Sequence, residues 1–187
     1  IYDMLKPIDD GVSISEIKLE SKSGGKSDIK QNYPDDLNVV IVTVNNRVLN
    51  KTVSDHSGDI IENKLEKFGL KNITRKVSGE DADSIKQITG ELIEAKVSLI
   101  LITGGTGLTA GDHTPDVINA FIERDVPGLM EAIRSYGQQR TPYAMLGRGV
   151  AGFCKESLLV TLPGSPRGAA ESMEAAFPYI LHVFRPV

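Results

Sequence analysis

The residues best suited to chemistry lie in one run, Leu101-Ile102-Thr103-Gly104-Gly105-Thr106-Gly107-Leu108-Thr109-Ala110-Gly111-Asp112-His113-Thr114-Pro115-Asp116. The apolar opening reads as the end of a buried strand, and Pro115 suits the first turn of a helix. The glycines therefore fall at the carboxyl end of a strand, where open α/β sheets bind ligands. There they let the backbone close on a ligand and turn its N–H groups toward an anion. Thr103 and Thr106 can add hydroxyl donors to the same anion. The spacing matches neither a Walker A loop, which needs Gly-Lys-Ser/Thr, nor the dinucleotide fingerprint. Asp112 sharpens the reading, because an acid beside phosphate-binding amides is unfavourable unless a metal or a transferred proton uses it. Mg2+ ligation fits that requirement. The competing reading makes Asp112 or Thr114 the cap of the helix opened by Pro115. The residues alone leave both open.

A second turn, Thr161-Leu162-Pro163-Gly164-Ser165-Pro166-Arg167-Gly168, also follows an apolar run. Gly164 permits a tight bend, and Ser165 with Arg167 could hold a phosphate. Alone, such a turn is as readily a rigid surface bend. Two such turns at strand ends favour one shared anion site. Glu80-Asp81 precedes a helical pattern, where acids usually serve the helix dipole. Asn45-Asn46-Arg47 and Ser57-Gly58 read by default as polar loop with the capacity to touch ligand. His56, His113 and His182 are expected at the surface or as caps, and Cys154 as a small buried residue.

The elements that must position these turns alternate between strand and helix. Val39-Val40-Ile41-Val42-Thr43-Val44 is a β-branched run of the kind buried on both faces of a parallel sheet. Strands are also expected at 73–77, 97–102, 150–153 and 157–162. Helices are expected at 59–68, 81–95 with Asp81 as N-cap, from Pro115 through Ile122, at 129–136 and at 168–182. Repeated βα units with apolar strands predict a mostly parallel mixed sheet with helices on both faces. Residues 1–27 are polar, and the alternation over 12–19 reads as one half-buried strand that must pair with something outside the segment. Residues 28–36 are expected to be a linker and 37–187 the main domain.

Composition narrows the function further. The chain has 187 residues, 25% of them charged, with a formal net charge of −4, five Phe, five Tyr and no Trp. An acidic chain poor in aromatic residues is a poor candidate for nucleic acid, which needs clustered cations or stacking platforms. The apolar runs are too short to span a membrane. One cysteine allows no internal disulfide, which fits the cytoplasm, and no Cys/His spacing suggests structural zinc.

On the Thr103-to-Pro115 run, Leu162-Pro163-Gly164-Ser165-Pro166, Asn46-Arg47 and Ser57-Gly58, taken in that set, residues 37–187 resemble the MoaB/Mog family of molybdenum cofactor biosynthesis. Gly111, where Mog members usually carry Arg, places the resemblance nearer MoaB. The resemblance implies an α/β fold assembled as a trimer or hexamer. It also implies binding of molybdopterin, and adenylylation of the molybdopterin phosphate by MgATP. On it, Asp112 is the second catalytic acid and a Mg2+ ligand, and the first acid is Glu80 or Asp81, with Asp81 preferred. Thr103, Gly104, Gly105, Thr106, Gly107, Asn46, Arg47, Ser57, Gly58, Pro163, Gly164 and Ser165 would hold the pterin and its phosphate. The family often has Ser-Asp-Arg where this chain has Asn45-Asn46-Arg47, which removes an acid near the ligand.

The opening residues, with Tyr2-Asp3-Met4-Leu5-Lys6 followed by Leu19-Glu20-Ser21-Lys22-Ser23-Gly24-Gly25-Lys26-Ser27, resemble the carboxyl end of MoaC, which makes cyclic pyranopterin monophosphate. Asp3 and Lys6 match two of its catalytic positions. The resemblance implies a MoaC–MoaB fusion represented by its second half. Two other functions compete with the transferase. One is a non-catalytic molybdopterin-binding module. The other is a trimerisation module, in which the turn residues tolerate change and Ile61→Asp disrupts assembly.

Overall fold

The computed structural model describes residues 37–185. Asp3, Lys6 and the alternating segment 12–19 lie outside them. Among the described residues the strands are β1 (Val39–Val44), β2 (Ile73–Ser78), β3 (Leu99–Thr103), β4 (Arg124–Asp125), β5 (Ala151–Cys154) and β6 (Ser157–Leu162). They form one sheet in the order β2-β1-β3-β6-β5-β4. The pairs β1/β2, β1/β3 and β3/β6 are parallel, while β5/β6 and β4/β5 are antiparallel. The mixed, mostly parallel sheet expected from the sequence is therefore present.

The central strands are buried at every position, and their alternating side chains feed two cores. Val39 and Ile41 of β1 with Leu99 and Leu101 of β3 face α2 (His56–Lys67), α5 (Pro127–Gln138) and α6 (Pro166–Ala176), meeting Ile61, Leu65, Met130 and Met173. Val40, Val42 and Val44 with Ile100 and Ile102 face α3 (Ala82–Glu94) and α4 (Thr114–Asn119), meeting Ile85, Leu92, Ile93 and Ile118. The period of two in β-branched strands and of 3.6 in the helices produces both layers. Each fully buried Ile or Leu stabilises the fold by roughly 1.5–3 kcal/mol.

Several boundaries differ from expectation for identifiable reasons. Asn45-Asn46-Arg47 is not loop. The Asn45 side chain accepts from the N–H groups of Arg47 and Val48 and caps a single helical turn, α1 (Asn46–Leu49). The helix after Pro115 ends at Asn119 and does not reach Ile122; Glu123 instead donates its N–H to the Phe153 carbonyl at the sheet edge. The expected last helix starts earlier, at Pro166, and stops at Ala176, because Pro178 brings no N–H and disfavours helical backbone before it. A 3-10 segment, Tyr179–Phe184, follows. The two-residue strand β4 and the 3-10 segment Pro142–Leu146 carry no periodic signal and were not expected.

Candidate functional site

Register places the site. Thr43 of β1 pairs with Thr103 of β3, and Thr103 with Leu162 of β6, so three parallel strands end level. The chain leaves β1 toward β2 on one side, while β3 lies on the other, and ligands of open α/β sheets bind at that switch point. A cleft of about 310 Å³ lies there, lined by Thr43 to Asn45, Glu80, Thr103 to Gly105, Thr109, Gly111, Asp112 and Gly164. The two glycine-rich turns meet in it. Gly104 donates its N–H to the Leu162 carbonyl at 3.1 Å. A Cβ on Gly164 would come 2.9 Å from the Gly104 Cα, closer than side chains tolerate. Gly105 has φ +61°, and a Cβ there would stand 2.6 Å from the Thr114 hydroxyl. That hydroxyl is fully buried and has no hydrogen-bond partner.

Two acids flank the cleft. Asp112 Oδ2 accepts from the Thr109 N–H at 2.8 Å and the Thr109 hydroxyl at 2.6 Å. The Thr109 hydroxyl, aided by the amides of Thr109 and Gly107 and by the Arg148 charge, holds the Asp112 carboxyl below its ordinary value against the upward pull of burial. Asp112 thus bonds within its own loop. The residue at the start of α4 is His113, which makes no side-chain cap. Glu80 follows β2, and its two oxygens accept from the Asn46 N–H at 3.2 Å and the Asn46 side-chain amide at 3.1 Å. Asn46 Oδ1 accepts the Glu80 N–H in return, at 3.1 Å. Asp81, the acid preferred from the sequence, is exposed and caps α3 by accepting the Ser84 N–H at 2.8 Å. It does not line the cleft; Glu80 does.

The remaining expected ligand residues divide by location. The Thr103 hydroxyl donates to the Pro163 carbonyl at 2.7 Å, tying the two turns together. Ser57 does the same for the Gly164 carbonyl at 2.8 Å. The Ser165 hydroxyl accepts the Gly168 N–H and caps α6. Thr106, Gly107 and Pro163 line a separate, largely apolar cavity of about 490 Å³ behind the loop, against Met130, Ile133 and Leu146. Arg47 is exposed on α1, outside the cleft lining, and Gly58 packs against Asp55 and Arg75. Cys154 is buried, as expected.

Two residues that the sequence reading passed over organise the surroundings. Asp55, the N-cap of α2, accepts from the Gly58 N–H, from the Thr43 hydroxyl at 2.8 Å and from Arg75 at 2.6 Å. Burial pushes its carboxyl up, but Arg75, Gly58 and Thr43 together outweigh that, and the net shift is downward. Its place six residues before the buried Ile61 was the available signal, through cap chemistry. Arg148 donates to the carbonyls of Gly107 and Asp112 and to Asp116. No local pattern could have announced it, since its partners are 32 to 41 residues away. Among the described residues no group of three or more His, Cys, Asp or Glu gathers to hold a metal ion, and no helix is long and apolar enough to cross a membrane.

Fold and cleft together define a class: an α/β domain with a glycine-walled, acid-flanked cleft at the carboxyl edge of its parallel strands. The model of a family described as a probable molybdopterin binding domain matches residues 40–182, and the chain belongs to that family. A molybdenum cofactor biosynthesis bifunctional protein from Chlorobaculum tepidum is 32% identical over 184 residues, covering 98% of this chain and 58% of that protein. The chain spans less than two thirds of the length of the bifunctional relatives it matches. A molybdopterin adenylyltransferase from Helicobacter pylori is 29% identical over 147 residues, covering 77% of this chain and 84% of that one. The molybdopterin biosynthesis Mog protein from Mycobacterium ulcerans superposes with a TM-score of 0.74 at 32% identity, over 79% of this chain and 96% of the other.

Proposed function

We propose that the domain binds molybdopterin in the cleft and adenylylates its terminal phosphate with MgATP. One observation carries the proposal: Gly104, Gly105 and Gly164 meet at the switch point with Glu80 and Asp112 in the same cleft. The relative named molybdopterin adenylyltransferase supports it. A phosphate oxygen of molybdopterin attacks the α-phosphorus of ATP, a new P–O bond forms, and the bond to the β-phosphate oxygen breaks to release pyrophosphate. Such transfer asks for positioning and charge neutralisation more than for covalent chemistry. The glycine turns let phosphate oxygens approach backbone N–H groups. Mg2+ is usually held by one or two carboxylates plus substrate phosphates, and Glu80 with Asp112 is such a pair. Glu80 is the first acid of this reading, and Asn46 orients it.

A second reading, a non-catalytic molybdopterin-binding module, is favoured by one feature: both acids already accept hydrogen bonds, Asp112 from Thr109 and Glu80 from Asn46. Isothermal titration with molybdopterin and MgATP, paired with a pyrophosphate-release assay, separates the two. The transferase reading expects binding with turnover, and at least a hundredfold loss of turnover in Asp112→Ala with molybdopterin binding retained. Binding without turnover in the unmodified chain overturns it in favour of the module.

Self-association to a trimer or hexamer belongs to the same proposal, supported by exposed Leu108, Tyr143, Met145 and Leu146. So do a cytoplasmic location and a fusion to a MoaC-like domain that makes cyclic pyranopterin monophosphate. The bifunctional relatives support the fusion.

A further inference from the structure

We propose that Arg148 is the positioning residue of the cleft: its guanidinium clamps the two ends of the 107–112 loop and thereby fixes where Asp112 stands. This rests on the transferase reading and deepens it. Arg148 Nε donates to the Gly107 carbonyl at 2.8 Å, and one terminal nitrogen donates to the Asp112 carbonyl at 2.7 Å. The other terminal nitrogen bonds both oxygens of Asp116 on α4, at 3.0 and 3.1 Å. The Arg148 N–H reaches the Thr106 carbonyl at 3.4 Å. Loop start, loop end and following helix thus converge on one planar fork, which a guanidinium matches and an ammonium does not.

The loop has little else to hold it. Thr109, Ala110 and Gly111 are exposed, Gly111 meets nothing where a Cβ would stand, and its other internal ties are Thr109 and Asp112 bonding each other and His113 donating to Gly111. Arg148 does not itself line the cleft; it bonds the Asp112 backbone carbonyl and not its carboxylate, so its effect on the reaction passes through Asp112. It also stands beside Gly107 and Gly149, which line the apolar cavity behind the loop.

The test uses the full chain. Amide hydrogen exchange is followed at Thr109 and Asp112, together with kcat and KM for molybdopterin and ATP, in Arg148→Ala and Arg148→Lys. Exchange at these two amides should accelerate at least tenfold while the β1 and β3 amides stay protected. The kcat should fall by about tenfold to a hundredfold, the size expected when a reacting group is misplaced by near 1 Å, with KM for molybdopterin changed less than about threefold on the same argument. Arg148→Lys should be impaired as well, since a point charge cannot bridge two carbonyls and a carboxylate. Added guanidinium should restore part of the kcat of Arg148→Ala. If Arg148→Ala does not fold, Arg148→Lys carries the test. A kcat near the unmodified value, or unchanged exchange at Thr109, overturns the proposal. If the unmodified chain gives no turnover, it is the transferase reading that falls, and the exchange measurement still decides the clamp.

Discussion

At the scale of single residues, conformation and charge decide what the cleft tolerates. Gly105 sits in the left-handed region, where a side chain costs about 1–2 kcal/mol, and its Cβ would also press on the buried Thr114 hydroxyl. Gly105→Ala should therefore lower stability by about 2 kcal/mol and weaken molybdopterin binding at least tenfold, read by urea unfolding and titration calorimetry. Asp55 makes a second case. Its side chain is 10% exposed and that of its partner Arg75 is 29% exposed. Removing the charge should cost about 2 kcal/mol, between the values for exposed and fully buried pairs. Because the folded chain holds the Asp55 carboxyl below its ordinary value of 3.8, the contribution is fully present above about pH 4 and disappears as pH falls through the folded value. The Tm difference between the unmodified chain and Asp55→Asn should be flat from neutral pH to about pH 5 and shrink below about pH 4.

At the scale of elements, neighbouring acids take different roles because one ends a strand and the other starts a helix. Asp81 caps α3, so Asp81→Ala should lower the melting temperature and leave turnover within about threefold, whereas Glu80→Gln should remove most turnover with little loss of stability. Steady-state kinetics and thermal melts on the two variants check this. The elements were largely legible in the sequence: β1 and β6 fall at the expected residues, and α3 has the expected cap and apolar face. Periodicity and caps are local signals, and these elements are specified locally. Glu80 could not be told from Asp81 for the same reason, since only the pairing with Asn46 of α1, 34 residues earlier, turns Glu80 toward the cleft. The hydroxyls of Thr103, Ser57 and Ser165 looked like ligand donors. Their use within the fold depends on tertiary partners in the first two cases and on a cap one residue pair earlier than the helix was expected in the third.

At the scale of the whole molecule, buried and exposed apolar positions carry different consequences. Ile61 of α2 is fully buried under the sheet, so Ile61→Asp should unfold the domain, because it buries an unpaired charge, and it cannot report on assembly as the trimerisation reading expected. Tyr143, 75% exposed, and Leu146, 50% exposed, are the positions that can. Tyr143→Glu with Leu146→Glu should keep the fold by circular dichroism and reduce the mass found by sedimentation to that of one chain. On the proposed function, two separate turns make one anion site. Amide shifts of Gly104, Gly105 and Gly164 followed by NMR during a molybdopterin titration test it most directly. The three glycines should move together along one saturation curve, with Gly128 on the outer end of α5 unmoved. Shifts confined to one turn, or two turns saturating at different concentrations, would contradict it.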